Sequence, residues 1–407
     1  MPPPSPRPSG PVPGASLADQ RAVPLADQLD DALATAVAAV RRNVDRFAAG
    51  YPDDATVDGV YPVRPASSHA PQGANHGWTT GFWPGMLWTA WHLTGDDVFS
   101  SAALALVPDF LDRVERRVDV DMHDLGFVYV PSCVAAWQEA GDARARDGAV
   151  EAAELLMKRL VEPAGIFQAW GDLADPAHQG RTIIDSLLNM PLLYWASAQT
   201  GDGSFADAAA GHARQLRDRI VRPDGSTFHT YWWDPVTGEP VRGGTAQGRA
   251  DVTPWARGQA WGVYGFALNH RHTGDPTLLA ASRRCADYLL ERLPADEVPF
   301  WDLSFTDGDD EERDSSAAAI AVCGLLELAE ALDGDAGRPY EAAAHEILSS
   351  LATGYAPGPG SGSDALLLHG VYSKPAGHGV DEGNLWGDYF YLEALGRVAR
   401  PGWRGYW

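Results

Sequence analysis

Asp185 stands in the run "RTIIDSLLNM", with Ile183 and Ile184 before it and Leu187 and Leu188 after. An ionised carboxylate among apolar side chains is costly unless something compensates, and one way out is to hold a proton. A carboxylic acid kept protonated near neutral pH is a general acid. Asp124 in "MHDLGFVY" adjoins His123 and is the natural second carboxylate. Paired carboxylates among aromatic platforms point to glycoside chemistry. The chain carries 15 Trp, whose flat rings suit sugar faces and also fill large cores. The competing reading of such aspartates is the helix N-cap. Capping and site roles are both open for Asp314, which Ser315 follows. Asp185, between Ile and Leu, reads as chemistry rather than as a cap.

These residues need elements to position them. Short Gly-Asp pairs recur at Gly95, Gly141, Gly201, Gly274 and Gly334, and Gly396 resembles a sixth ending. Gly just past one helix and Asp capping the next is the chemistry of a helix–helix turn. Upstream of these glycines lie runs apolar on nearly all sides, such as "WTTGFWPGMLWTAWHL", "PWARGQAWGVYGFALNH" and "NLWGDYFYLEAL". Buried helices have that pattern. Downstream runs such as "AVEAAELLMKRL" are amphipathic, as is the first, "LADQLDDALATAVAAVRRNVDRF". Six buried helices alternating with six amphipathic ones predict an all-α (α/α)6 barrel, with an open helical solenoid as the alternative. Strand patterns are limited to short hairpins near "FHTYWW" and "PVRGG". Each buried run begins with polar or aromatic residues: Trp78 and Thr79, Asp124, Asp185, Trp255 and Arg257, Asp314 and Ser315, Trp386 and Asp388. Parallel inner helices would bring all of them to one mouth.

Residues 25–407 read as a single catalytic domain behind a Pro-rich, disordered leader over residues 1–24. The leader has no apolar core of a secretory signal. The net charge of −24 argues against nucleic acid and anionic membranes as partners. No apolar run reaches the length of a membrane span. Cys133, Cys285 and Cys323 are odd in number and lack CxxC spacing, so they read as core thiols of a cytoplasmic protein. No HExxH and no paired His at ligand spacing occur, and neither a metal nor a cofactor is expected.

Five motifs in order, "MHDLGFVY", "RTIIDSLLNMPLLYWAS", "TPWARGQAWGVYGF", "DSSAAAIA" and "GNLWGDYFYLEAL", resemble the unsaturated glucuronyl hydrolases of glycoside hydrolase family 88. The resemblance runs from about Gly73 to Leu395 and implies the same (α/α)6 barrel. It also implies an unusual reaction, hydration of the C4=C5 double bond in the terminal uronate of lyase-made di- or oligosaccharides. Asp185 then matches the acid/base and Asp124 the second carboxylate. His123, His229, Thr245 and Gln247 match sugar-contacting positions. Trp255, Arg257 and Trp261 match a wall that stacks on the sugar and pairs with its acidic groups. Trp78 adds an aromatic, and Tyr372 and Lys374 lie on the last substrate loop, "HGVYSKP". His369 and Tyr372 stand there where relatives that favour sulfated fragments carry serines, which points to unsulfated or weakly sulfated substrates. Three rival readings remain: an unsaturated rhamnogalacturonyl hydrolase, a conventional inverting glycosidase, and a non-catalytic carbohydrate-binding toroid.

Overall fold

The computed structural model describes residues 24–48, 50–173, 175, 178–358 and 360–407. The leader expected over residues 1–24 lies, Pro24 apart, outside them. Twelve main helices occur among the described residues: α1 (Leu25–Arg46), α2 (Phe82–Thr94), α3 (Asp97–Glu115), α4 (residues 125–140), α5 (Ala143–Met157), α6 (Met190–Thr200), α7 (Gly203–Arg219), α8 (Ala256–Thr273), α9 (Pro276–Leu290), α10 (Ser315–Ala331), α11 (Arg338–Ser350) and α12 (Leu385–Ala399).

Even-numbered helices form the inner ring, and their composition explains why. In α8 every residue from Ala256 to Asn269 is buried. The outer α9 instead buries Leu278, Ala281, Ser282, Cys285, Ala286, Tyr288 and Leu289, the three-to-four spacing of a one-sided helix. Each inner helix packs on the next, and α12 packs back on α2 while α11 meets α1. The ring closes, which removes the open solenoid.

The Gly-Asp punctuation does its expected work at four turns. Gly95, Gly141, Gly201 and Gly274 end α2, α4, α6 and α8 with left-handed φ of 66° to 79°, where a Cβ would strain the backbone. Asp96, Asp142, Asp202 and Asp275 then cap the following helices through their side chains. Gly334 opens a short 3-10 turn instead. Gly396 is not an ending: it lies inside α12, where a Cβ would come within 2.8 Å of the Trp403 ring. The hydrophobic pattern could not tell an interior Gly from a terminal one.

Seven short strands, β1 (Leu160–Val161), β2 (Ile166–Phe167), β3 (Arg181–Ile183), β4 (Thr230–Trp233), β5 (Pro240–Gly244), β6 (Gly370–Ser373) and β7 (His378–Glu382), lie in the connections. The order β3–β4–β5 makes one antiparallel sheet, and β6–β7 a hairpin. The expected hairpin near "FHTYWW" and "PVRGG" is β4–β5. β3 and β6 carry or precede site residues, so the loops at the mouth are braced by strands rather than left free.

Candidate active site

Asp185 does not open a regular helix. It sits in a 3-10 turn, Ile184–Leu188, between β3 and α6, and its side chain caps nothing. Ile184 N–H donates to His229 O at 3.0 Å, which ties the turn to β4. Asp124 occupies the N-cap position of α4 but makes no capping bond either. Asp314 does: it accepts from the Ser316 and Ala317 amides and is fully buried. The two readings of aspartates at helix starts therefore separate cleanly among these three residues.

Gly126 lets the two carboxylates meet. A Cβ there would fall 2.3 Å from Asn189 Cα, and Phe127 N–H donates to Asn189 Oδ1 at 2.9 Å. α4 is thus pressed onto the segment that follows Asp185. The fully buried His123 bridges the pair: its Nε2 lies 3.2 Å from Asp124 Oδ1 and 3.7 Å from Asp185 Oδ1. Neither contact has hydrogen-bond alignment, and Asp185 Oδ1 is buried without a partner among the described residues. About 15% of the Asp185 side chain and 16% of Asp124 remain exposed, so both face the opening.

Burial, opposed by His123 and reinforced by Asp124, pushes the Asp185 carboxyl up to about 7. Burial works against charge on His123, but Asp124 and Asp185 outweigh it and raise the imidazole pKa. The trio offers a proton donor near neutral pH beside an acceptor. Its ligand atoms, all within 4.8 Å of one another, are also a set that could hold a cation.

His229 is held differently. Its Nδ1 accepts from Ala246 N–H at 2.8 Å and lies 3.5 Å from the Thr245 hydroxyl, which assigns the neutral ring's proton to Nε2. Burial and nearby cations lower its pKa to about 3. It stays a neutral donor, with Nε2 buried and free of hydrogen bonds among the described residues. The ring meets the Trp255 face edge-on, centroids 4.6 Å apart. On the opposite wall Trp78 Nε1–H donates to the Tyr372 hydroxyl at 2.9 Å, and its ring leans on Trp386 at 5.1 Å.

Two expected cations are not free. Arg257 is buried and donates to Asp314 Oδ2 at 3.1 Å, to Gln247 Oε1 at 2.7 Å, to Tyr372 O at 2.7 Å and to Val371 O. Its guanidinium also lies over Trp255 and Trp386. It staples the last loop to α8 and α10 and has no open fork for a sugar carboxylate. Lys374 pairs with Glu312 and, at 3.7 Å, with Glu311. Trp261 packs between Phe127 and Phe390 with 1% exposure, so it floors the site from within the core instead of forming its wall. Asp388 is likewise enclosed, accepting from the Tyr61 hydroxyl and Leu367 N–H at 2.9 Å each. Trp170 and Arg181 also lie beside the trio; they stand in or beside short strands, so the pattern of polar residues opening buried helices does not reach them.

A closed ring of helical hairpins with two adjoining carboxylates at a Trp-lined mouth is the form of a glycoside hydrolase. Residues 58–362 match the sequence model described as Glycosyl Hydrolase Family 88, and the chain belongs to glycoside hydrolase family 88. It is 44% identical over 383 residues, 94% of each chain, to an unsaturated chondroitin disaccharide hydrolase of Streptococcus pneumoniae. Its fold superposes with a TM-score of 0.89 on an unsaturated glucuronyl hydrolase from Streptococcus agalactiae, 42% identical, covering 95% of this chain and 94% of that one. A substituted form of the Streptococcus agalactiae enzyme in complex with dGlcA-GalNAc6S superposes with a TM-score of 0.80 at 40% identity, covering 93% of each chain.

Proposed function

We propose that this enzyme hydrates the C4=C5 double bond of the terminal unsaturated uronate in lyase-made di- or oligosaccharides. The observation that carries this reading is the Asp185 carboxyl, held near a pKa of about 7 beside Asp124 and His123 at the mouth of a family 88 ring. The bond to be broken first is a vinyl ether, and it needs a proton on carbon. Asp185 delivers that proton to C4. The cation left at C5 is stabilised by the ring oxygen. Water adds at C5 and gives its proton to the Asp185 carboxylate, which restores the acid. The resulting hemiketal opens to a ketone at C5. The hemiacetal left at C1 then collapses and releases the neighbouring sugar.

The other groups divide the remaining work. Asp124 keeps Asp185 protonated by its charge and is placed to contact the sugar. His123 lies between the two and moderates their repulsion. His229 offers a neutral N–H to the substrate, Thr245 and Gln247 shape the same side, and Trp78 with Tyr372 form the aromatic side. Arg257 acts as a positioning residue that holds Gln247 and the Tyr372 loop. The engagement of Lys374 by Glu311 and Glu312 supports a preference for unsulfated or weakly sulfated fragments.

Residues 25–407 act as one catalytic unit in this reading, and the place of action is the cytoplasm. Three buried thiols without a disulfide support that location. Among the described residues no helix is long and apolar enough to cross a membrane. The test is a panel of lyase-made disaccharides followed by ultraviolet absorbance. Loss of the absorbance of the conjugated double bond, together with release of the second sugar, is expected. Sugar release with the absorbance intact would mean ordinary glycosidase chemistry.

A further inference from the structure

An acidic enzyme working on acidic saccharides needs local cations, and the two expected ones are consumed by protein carboxylates. Two unexpected ones are not. Arg181 on β3, Trp232 on β4 and Arg242 on β5 are direct cross-strand partners, so their side chains leave the same face of the sheet. The Arg181 guanidinium carbon stands 3.8 Å from the centre of the Trp170 ring, and that of Arg242 stands 3.8 Å from the centre of Trp232. Trp170 in turn bridges to Met122, next to His123. The result is two indole–guanidinium stacks side by side on one face of the sheet, the first of them bridged to the residue before His123. Trp170, Arg181 and Trp232 are half-buried and Arg242 is exposed.

Neither arginine has an acidic partner among the described residues. Arg181 Nε and Nη2 are buried there with no hydrogen bond at all, although most arginines of this chain pair with a carboxylate. Stacking on indole occupies one face of each planar guanidinium and leaves the exposed Arg242 with open N–H donors, while Arg181 keeps two buried donors that no acceptor among the described residues satisfies. The position of these stacks is also defined. The row nearer the centre, Ile183, Thr230 and Gly244, adjoins Asp185, His229 and Thr245. Moving two residues outward along all three strands reaches Arg181, Trp232 and Arg242, about 7 Å further from the chemistry.

We infer that Arg181 and Arg242 form an anion-reading extension of the active site, which takes an acidic group on the part of the saccharide beyond the cleaved linkage. The group assigned is the carboxylate of a second uronate in a longer fragment. Planar guanidinium edges match a carboxylate in two parallel hydrogen bonds. A sulfate on the sugar next to the link presents related chemistry, and the test separates the two. This inference rests on the proposed hydration activity.

The experiment compares kcat/KM on three unsaturated substrates: an unsulfated disaccharide, its sulfated counterpart, and an unsulfated tetrasaccharide carrying a second uronate. The enzymes are the wild type, Arg181→Ala, Arg181→Lys and Arg242→Ala. The ratio of tetrasaccharide to disaccharide efficiency is expected to fall about tenfold in Arg181→Ala, mainly through KM, and about threefold in Arg242→Ala, with Arg181→Lys between Arg181→Ala and the wild type. Added salt should shrink the wild-type ratio. A ratio within twofold of wild type in both alanine variants overturns the inference, and Arg242, being exposed, supplies that answer even if Arg181→Ala misfolds. An effect confined to the sulfated disaccharide overturns the carboxylate assignment. If the wild type turns over none of the three substrates, it is the hydration reading that has failed.

Discussion

Among the described residues, burial pushes the carboxyl groups of Asp185 and Asp388 alike up to about 7. They look alike by that measure and differ in everything around it. Asp388 is fully enclosed, and both its oxygens accept hydrogen bonds, from Tyr61 and from Leu367. Asp185 faces the mouth, with one oxygen buried and unbonded and a second carboxylate close by. A raised pKa in a satisfied, closed pocket is a structural cross-link. The same raised pKa with an open face and an unspent oxygen is an acid waiting for a substrate. The difference lies in what the neighbours leave undone, not in the shift.

Substitutions can break this comparison, and the largest effect belongs to Asp185. Asp185→Asn is expected to lower kcat by about a hundredfold to ten-thousandfold, since an amide has no proton to give. The fold should survive. The folded pKa of Asp185 lies above the ordinary value of 3.8, so the folded state keeps a proton that the unfolded chain loses. Stability from this group is full at low pH and is lost as pH rises through about 7. At pH 8 the variant should therefore melt no lower than the wild type. A variant that retains a tenth of the activity, or that unfolds first, would place Asp185 with Asp388.

Next comes Arg257→Ala, expected to destabilise by about 3–5 kcal/mol, because it leaves Asp314 buried without its counter-charge. Denaturant titration measures this. A stable variant with weakened substrate binding would restore Arg257 to the role of a sugar clamp. Asp388→Ala should cost about 2–4 kcal/mol by stranding the Tyr61 hydroxyl and the Leu367 amide, while kcat of the folded fraction stays within about threefold. The smallest and most graded effect is in pH. Because the acid form of Asp185 is the working one, kcat should fall about tenfold per unit above pH 7, and the fall should be absent from the residual rate of Asp185→Asn.

Much of this was legible in the sequence where one rule dominated locally. The Gly-Asp turns reported the helical hairpins because only glycine sits easily at the left-handed end and aspartate caps the next start. Asp185 stood out because Ile and Leu flank it. The fates of Arg257 and Lys374 were not legible. Their partners Asp314, Glu311 and Glu312 lie 57 to 63 residues away in sequence, and only closure of the ring brings them together. Arg181 was hidden for the opposite reason. Its importance lies in a partner it lacks, and a missing partner leaves no pattern in a chain. Trp261 matched the family wall by motif, yet ring closure sealed it beneath Phe127 and Phe390.

The central assignment, Asp185 as the donor of a proton to carbon, is tested most directly by running the reaction in heavy water and reading the product by NMR at early times. Hydration through Asp185 should place one deuterium per turnover at C4, on a single face, in step with loss of the double bond, and Asp185→Asn should deuterate C4 only at its residual rate, about a hundredfold or more below the wild type. A released uronate that keeps its double bond and carries no deuterium at C4 would contradict it.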